Sequence, residues 1–118
     1  MHLPPKGLST KGAKELRKQA GLWLRELREN CGLSQRQLAD KVGAEYYTFI
    51  SQLETGRGRI PPDRYLVWAT ALKVEPQEFV RTLMSYYDPV THKILFGSTS
   101  GRPKTGLRRV GGVRLTGK

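Results

Sequence analysis

The sequence is short of the residues that build disulfides, metal sites and membrane helices. It contains one cysteine and two histidines, so an intrachain disulfide cannot form and a structural zinc site is not expected. A lone cysteine fits a reducing cytoplasm. No apolar run approaches the roughly 20 residues that cross a bilayer, and residues 1–10 lack the apolar core of a secretory signal. We therefore expect a cytoplasmic protein without a membrane segment or a metal.

The chain also lacks any pattern that marks a catalytic centre. Cys31 stands in no nucleophile motif, and His2 and His92 fall in segments that we expect to be mobile. No paired acids indicate a cleft, and the 13 glycines form no phosphate-cradling loop. We expect that the protein is not an enzyme and needs no cofactor.

Acidic side chains are scarce, and their shortage is uneven along the chain. Lysine and arginine number 21 against ten aspartates and glutamates, which gives a formal net charge of +11. Residues 89–118 hold seven of the basic side chains and no acidic one. A surplus of this kind attracts polyanions, so nucleic acid and anionic membrane surfaces are the first partners to consider.

Residues 33–56 have the pattern of two short helices separated by a tight turn. Ser34 and Gln37 have the spacing of a capping box at the start of the first helix, and Gly43 suits a left-handed residue at its end. Gly56 ends the second helix. The apolar side chains that recur at helical spacing are Leu38, Ala39 and Val42, then Ile50 and Leu53.

Three further helices are predicted around this pair. The first runs from Ser9 or Thr10 to about Asn30, with an expected break near Gly21, because glycine costs a helix about 1 kcal/mol relative to alanine. The second starts at the proline pair 61–62 and runs to about residue 72. Its predicted apolar face is Tyr65, Leu66, Trp68, Ala69 and Leu72. The third runs from Pro76 to residue 88.

The amino-acid composition of the chain changes after Pro89. Val90–Phe96 is rich in β-branched and aromatic residues, which predicts a short extended segment. It would pack on the helices or pair with a second copy of the chain. Residues 97–118 are rich in glycine and basic residues and cannot bury enough apolar surface to fold. We expect a flexible tail there and a flexible N-terminus over residues 1–9.

The stretch from about Leu22 to Val80 resembles the lambda-repressor-like, Xre/Cro-type helix-turn-helix family of bacterial and phage DNA-binding proteins. The residues that carry the resemblance are Gly32-Leu33-Ser34-Gln35, Leu38-Ala39, Val42-Gly43, Ile50-Ser51-Gln52-Leu53-Glu54, Gly56, Pro61 and Ala71-Leu72-Lys73-Val74. The resemblance implies an all-α, compact five-helix DNA-binding domain over residues 10–88. The interval from Gly43 to Ile50 is one residue longer than the family pattern. This indicates an insertion at residues 44–46, either in the turn or in the first turn of the second helix.

By resemblance, the second helix of the pair enters the major groove and reads base edges. The residues implied in base contact are Tyr47, Thr48, Ser51 and Gln52, and those implied in contact with the DNA backbone are Gln35, Arg36, Arg57 and Arg59. Each has a structural alternative: a polar side chain can simply face solvent, and at least one of Tyr46 and Tyr47 is expected to pack against the interior. The cations Lys11, Lys14, Arg17 and Lys18 form either a solvated helix face or a phosphate-contacting arm.

The resemblance implies a sequence-specific transcriptional regulator that binds double-stranded DNA in the cytoplasm, on the nucleoid. Such readers bind half-sites in pairs, so we expect a homodimer, with the segment 89–96 and the last helix as candidate contacts. The sequence leaves two alternatives open. One is an antitoxin or adaptor that binds a partner protein and its own promoter; the other is a nucleoid- or RNA-binding protein without sequence choice. RNA polymerase and a toxin are the partner proteins considered.

Overall fold

The computed structural model describes residues 10–97 and folds them into six α-helices joined by short loops. The helices are α1 Thr10–Asn30, α2 Gln35–Val42, α3 Thr48–Glu54, α4 Tyr65–Ala71, α5 Pro76–Tyr87 and α6 Pro89–Phe96. A 3-10 turn, Pro62–Arg64, leads into α4. The predicted all-α architecture is confirmed, since residues 10–97 contain no strand. The predicted flexible ends, 1–9 and 98–118, lie outside the described residues.

Helix α1 is continuous through Gly21, so the predicted break is wrong. Gly21 is buried where α1 crosses the end of α3, and a Cβ atom there would lie 2.3 Å from the carbonyl oxygen of Glu54. No side chain tolerates a contact that short, and only glycine lets the two backbones approach so closely. The packing of α1 on α3 therefore offsets the helix-propensity cost of this glycine.

The core lies where α1, α4 and α5 close over the α2–α3 pair. Its buried apolar residues are Ala20, Leu24, Leu38, Ala39, Val42, Ile50, Leu53, Ile60, Trp68, Ala69, Leu72, Phe79 and Leu83. Trp23 stacks on Phe79 with 5.4 Å between ring centroids, which fixes α1 against α5. Leu66, predicted on the buried face of α4, is 63 % exposed. It lies about 100° around the helix from Tyr65, off the face that Trp68 buries.

Residues 89–96 form helix α6, so the predicted extended segment is wrong. Asp88 caps this helix by accepting a hydrogen bond from the Thr91 N–H at 3.2 Å, and Pro89 occupies its first turn. Both are start signals for a helix. They outweigh the β-branched content of the segment because β-propensity depends on packing in a sheet. Helix α6 folds back on α5 and buries His92, whose ring lies 4.9 Å from that of Phe96.

Candidate nucleic-acid interface

Helix α2 begins and ends as its sequence predicts. The Gln37 N–H donates to Ser34 Oγ at 3.0 Å, and the Ser34 N–H donates to Gln37 Oε1 at 2.8 Å, which completes the capping box. At the other end Gly43 adopts a φ of 73°, and the Ala44 N–H returns to the Ala39 carbonyl oxygen at 2.9 Å. The chain therefore reverses within a few residues and starts α3 beside α2.

The residues at which the insertion is predicted, 44–46, lie in the turn between α2 and α3. Residues 43–47 are non-helical, and α3 runs over seven residues, Thr48–Glu54, with Tyr47 as its N-cap. Tyr46 and Tyr47 are 66 % and 42 % exposed, so the expectation that at least one of them packs inside is wrong. Phe49 packs on the core in their place. Both tyrosines are thus presented at the surface, next to the start of α3.

Arg64 of the 3-10 turn stabilises the chain reversal that follows α2. Its Nη2 donates a short hydrogen bond to the carbonyl oxygen of Val42. The cation therefore lies at the C-terminal end of α2, where the helix dipole is negative. The same nitrogen is 3.3 Å from the place that a Cβ atom on Gly43 would occupy. The turn is held by a residue 22 positions after Val42, a contact that local spacing does not reveal.

Helix α3 has one buried face and one exposed face. Ile50 is fully buried in the core, whereas Thr48 and Gln52 are exposed and Ser51 is half-buried. Residues three and four apart are neighbours on a helix surface, so positions 48, 51 and 52 lie on one side. We call these three residues the exposed stripe. The structure brings them together on one surface, with Tyr47 at its start.

Two residues at the start of α2 reach toward α3. The Arg36 guanidinium lies over the Tyr47 ring, with 4.5 Å between Cζ and the ring centroid, a cation–π contact at the surface. Gln35 is half-buried, and its Nε2 donates to Glu54 Oε1 at 3.1 Å. These two of the four residues predicted to contact the DNA backbone therefore stand at a helix N-terminus, where the dipole favours anions. Arg36 is also brought against a residue predicted to contact bases.

A buried ion pair holds α1, α2 and α3 together. Arg28 Nε and Nη2 donate to the two carboxylate oxygens of Glu54 at 2.6 and 3.1 Å, and Arg28 Nη1 donates to the Leu33 carbonyl oxygen at 2.7 Å. Hydrogen bonding to Glu54 raises the pKa of Arg28 against the opposing effect of burial, so the guanidinium stays charged. Gln35 bonds the same carboxylate. The pair therefore fixes the start of α2 relative to the end of α3.

The chain leaves α3 through a sharp turn that opens a basic loop, residues 57–59. Gly56 adopts a φ of 82°, a left-handed conformation that glycine accepts without strain. The Arg57 N–H donates to the Gln52 carbonyl oxygen at 2.8 Å and the Gly56 N–H to that of Leu53 at 3.2 Å, which together form a Schellman motif. The exposed Arg57 therefore emerges directly beyond the exposed stripe.

Tyr87 of α5 fixes the other end of this loop. The Arg59 guanidinium lies over its ring, with 5.0 Å between Cζ and the centroid, and the Ile60 N–H donates to its hydroxyl oxygen at 3.3 Å. Burial raises the pKa of the Tyr87 hydroxyl, although the Ile60 hydrogen bond and the nearby cations oppose the shift. The two arginines of the loop that are implied in contact with the DNA backbone thus differ in how they are held. Arg57 extends from the loop, whereas Arg59 is held against Tyr87 of α5.

Residues 10–97 offer neither a membrane span nor a metal cluster. No helix in this range is long and apolar enough to cross a bilayer. The same residues contain no group of three or more His, Cys, Asp or Glu side chains that could hold a metal ion. Cys31 is half-buried, and its thiol donates to the Leu72 carbonyl oxygen at 3.2 Å, which places it in the packing between α1 and the end of α4.

The helix pair matches a known family. A family model described as helix-turn-helix matches residues 24–79, a span that contains α2, the turn and α3. A solved structure that is similar is that of the restriction-modification controller protein C.AhdI from Aeromonas hydrophila. The two sequences are 38 % identical, and the match covers 55 % of this chain and 96 % of that one, with a TM-score of 0.48. No curated protein matches the chain. Because the family match spans both helices and the turn between them, the chain belongs to the lambda-repressor-like, Xre-type helix-turn-helix family of DNA-binding transcriptional regulators.

Proposed function

We propose that the protein regulates transcription by reading a specific double-stranded DNA sequence in the major groove with α3. The observation that supports this most is the exposed stripe of Thr48, Ser51 and Gln52 on a helix whose other face is buried. The major groove is about 12 Å wide and admits a helix. Since α3 is held by the core and by the Glu54 ion pair, it can enter the groove without losing its packing.

The side chains of the stripe suit different base edges. The amide of Gln52 can pair with adenine through two hydrogen bonds, and Thr48 offers a hydroxyl group together with a methyl group for thymine. Ser51 is less exposed and can reach a base edge only through its short hydroxyl. Tyr47, at the start of the helix, can stack on a sugar or donate its hydroxyl hydrogen to a phosphate.

The side chains implied in contact with the DNA backbone surround the stripe. Arg36 lies over Tyr47 at its start, and Gln35 bonds Glu54 at the end of α3, after which the loop with Arg57 and Arg59 follows. Phosphate contacts of this kind supply affinity and fix register without choosing a sequence. The Nε2 atom of Gln35 carries two hydrogens; one bonds Glu54, and the other can donate to a phosphate. The ion pair thereby orients a DNA contact as well as the helices.

Replacing Gln52 with alanine tests the stripe directly. We expect Gln52→Ala to lose discrimination at one base position by roughly 1–3 kcal/mol, because one bidentate base contact is worth that much. The measurement is the dissociation constant for the best duplex, selected from random sequence, and for all of its single-base variants at one salt concentration.

Gln19→Ala is the matched control, because Gln19 is exposed on α1 and should leave every one of these constants unchanged. If Gln52→Ala keeps the parental ranking of all base variants, the assigned face of α3 is not the reading face. Competition with random duplex separates specific reading from charge-driven binding, since a specific reader should prefer its site by about a thousandfold or more. Stoichiometric co-purification of a toxin would instead favour the antitoxin alternative.

The proposal includes a homodimer, because half-site readers of this type act in pairs. The candidate contact surface is the groove between α5 and α6, about 500 Å³ in volume and lined by residues that include Val80, Met84 and Phe96. Beside it Ile94 and Leu95 are 76 % and 60 % exposed. Large apolar side chains that are exposed next to one another are typical of interaction surfaces.

Ile94→Asp should therefore convert a dimer into a monomer that stays folded, because Ile94 is 76 % exposed and contributes little to the core of one chain. Leu22→Asp is the control, since Leu22 is 61 % exposed on α1 and should leave the dimer intact. Light scattering at micromolar concentration measures both variants. A parent protein that is monomeric both free and on its DNA site would refute the dimer.

A further inference from the structure

The first half of α1 extends beyond the part of the chain that matches the family. Helix α1 starts at Thr10, whereas the family match starts at residue 24. The extension, residues 10–23, is about 20 Å long at 1.5 Å per residue. It carries four basic side chains, Lys11, Lys14, Arg17 and Lys18, and one acidic side chain, Glu15. We call these four cations the α1 basic face.

One end of the α1 basic face, at Arg17 and Lys18, lies against the turn that ends α3. Gly56 touches the backbone of α1 so closely that a Cβ atom there would be 2.9 Å from both Cα and N of Lys18. Gly56 is the residue from which the basic loop 57–59 departs. The structure thus joins two basic segments that are about 40 residues apart in sequence, and Lys18 becomes a spatial neighbour of the loop.

Tyr87 of α5 lies near cations of both basic segments. Burial raises the pKa of the Tyr87 hydroxyl, and the charges of Arg59 and Arg17 both oppose that rise. The two cations therefore approach the same group, one from the loop and one from α1. Together the α1 basic face and the arginines of the loop supply six positive charges, with Glu15 as the acidic residue within these two segments.

These cations are not neutralised within the described chain. The side-chain ion pairs of residues 10–97 are Arg25–Glu29 and Arg28–Glu54, and neither includes a residue of the α1 basic face. Lys11, Lys14 and Lys18 are exposed, and Arg17 is half-buried. A row of exposed cations beside an interface for DNA has the charge that phosphates require.

We propose that the α1 basic face is a second DNA-contacting surface, which binds the phosphodiester backbone next to the segment read by α3. This rests on the proposed function, because the loop 57–59 must itself lie on the DNA for the face to continue that path. The contact is to phosphates only, so it adds affinity and salt dependence to every duplex and does not change which base sequence is preferred.

The double variant Lys14→Gln/Lys18→Gln tests this proposal. Glutamine and lysine have similar helix propensity, and both positions are exposed, so the fold is retained. Each lost phosphate contact lowers the slope of log affinity against log salt by about 0.9. We expect the slope to fall by about 2 for each bound chain, hence by about 4 for the proposed homodimer, and the affinity at roughly 0.1 M salt to fall about tenfold or more, equally for the selected site and for random duplex.

Lys41→Gln/Lys73→Gln is the matched control. It removes the same net charge from two exposed lysines, one near the end of α2 and one after α4, and it should keep the parental slope. Equal slopes of log affinity against log salt for the parent and the α1 variant would overturn the proposal. The α1 basic face would then be a helix surface that faces solvent only. A loss of affinity equal to that of the control would do the same, because it would be an effect of net charge alone.

The outcome can be told apart from a failure of the proposed function. If no duplex competes better than random sequence against the parent protein, sequence-specific reading fails, while the slopes still report on the α1 basic face. If Gln52→Ala loses discrimination but the α1 variant keeps the parental slope, only the second surface fails.

Discussion

Replacing Glu54 with leucine is expected to lower the free energy of unfolding by about 3–5 kcal/mol, because it leaves the Arg28 guanidinium buried without its carboxylate. Arg28 and Glu54 are 8 % and 7 % exposed and share two hydrogen bonds. A small domain is stable by only about 5–15 kcal/mol, so this one change removes a large share. Urea unfolding followed by circular dichroism measures it.

The double variant Arg28→Met/Glu54→Leu should recover most of that loss. Two apolar side chains of similar size have no charge to desolvate, and such replacements are often neutral or stabilising. Recovery would show that the cost of the single change is the unpaired cation and not the missing volume. DNA affinity should stay reduced in the double variant, since Gln35 loses the acceptor that orients its amide.

Arg25–Glu29 is a matched control on the same helix. Its N–O distance is 3.1 Å, but its side chains are 58 % and 52 % exposed, and exposed pairs contribute at most about 1 kcal/mol. Glu29→Leu should therefore cost far less than Glu54→Leu. Equal costs for the two changes would contradict the role given to the buried pair.

Gly21→Ala is expected to destabilise the protein by about 3 kcal/mol, although alanine in a helix ordinarily gains about 1 kcal/mol over glycine. The added methyl group would lie 2.3 Å from the Glu54 carbonyl oxygen and 2.7 Å from that of Leu53. Both obstructing atoms belong to the backbone, so α1 and α3 must separate, and overpacking of this kind costs about 1–3 kcal/mol or more. Because α3 moves, DNA affinity should fall as well.

Gly58→Ala is the control for this substitution. A Cβ atom at Gly58 would lie 3.5 Å from Leu53 Cδ2, an ordinary contact, so the change should be neutral within about 0.5 kcal/mol. Thermal and urea unfolding measure both variants. A Gly21→Ala protein that is more stable than the parent would mean that α1 does not cross the end of α3 at this residue.

Local signals in the sequence predicted local structure well. The capping box at Ser34 and Gln37 and the left-handed Gly43 involve residues within a few positions of one another, and their geometry follows from that spacing. Helix α6 shows where such reading failed. The proline at position 89 predicts the end of one helix at residue 88, and in the structure Asp88 is also the N-cap of the next helix.

Contacts between distant residues could not be predicted in this way. The pairing of Arg28 with Glu54 joins positions 26 apart, and charge alone does not choose that partner for Arg28 among ten acids. The one indication in the sequence that Glu54 has a structural role is its place within the family motif. The burial of Gly21 likewise depends on how α3 crosses α1, so propensity alone indicated a break there. The resemblance did supply the residues of the exposed stripe, whose DNA contacts stay a prediction.

The Arg36–Tyr47 stack affects the entropy cost of the proposed DNA binding. With the guanidinium 4.5 Å from the ring centroid, both side chains are already restricted before any duplex arrives. A free arginine has roughly 2 kcal/mol of rotamer entropy to lose, and a side chain that rests near its working position loses less of it on binding. The turn before α3 thereby has an ordered, charged edge, and we expect the proposed DNA binding to need little rearrangement of these two side chains.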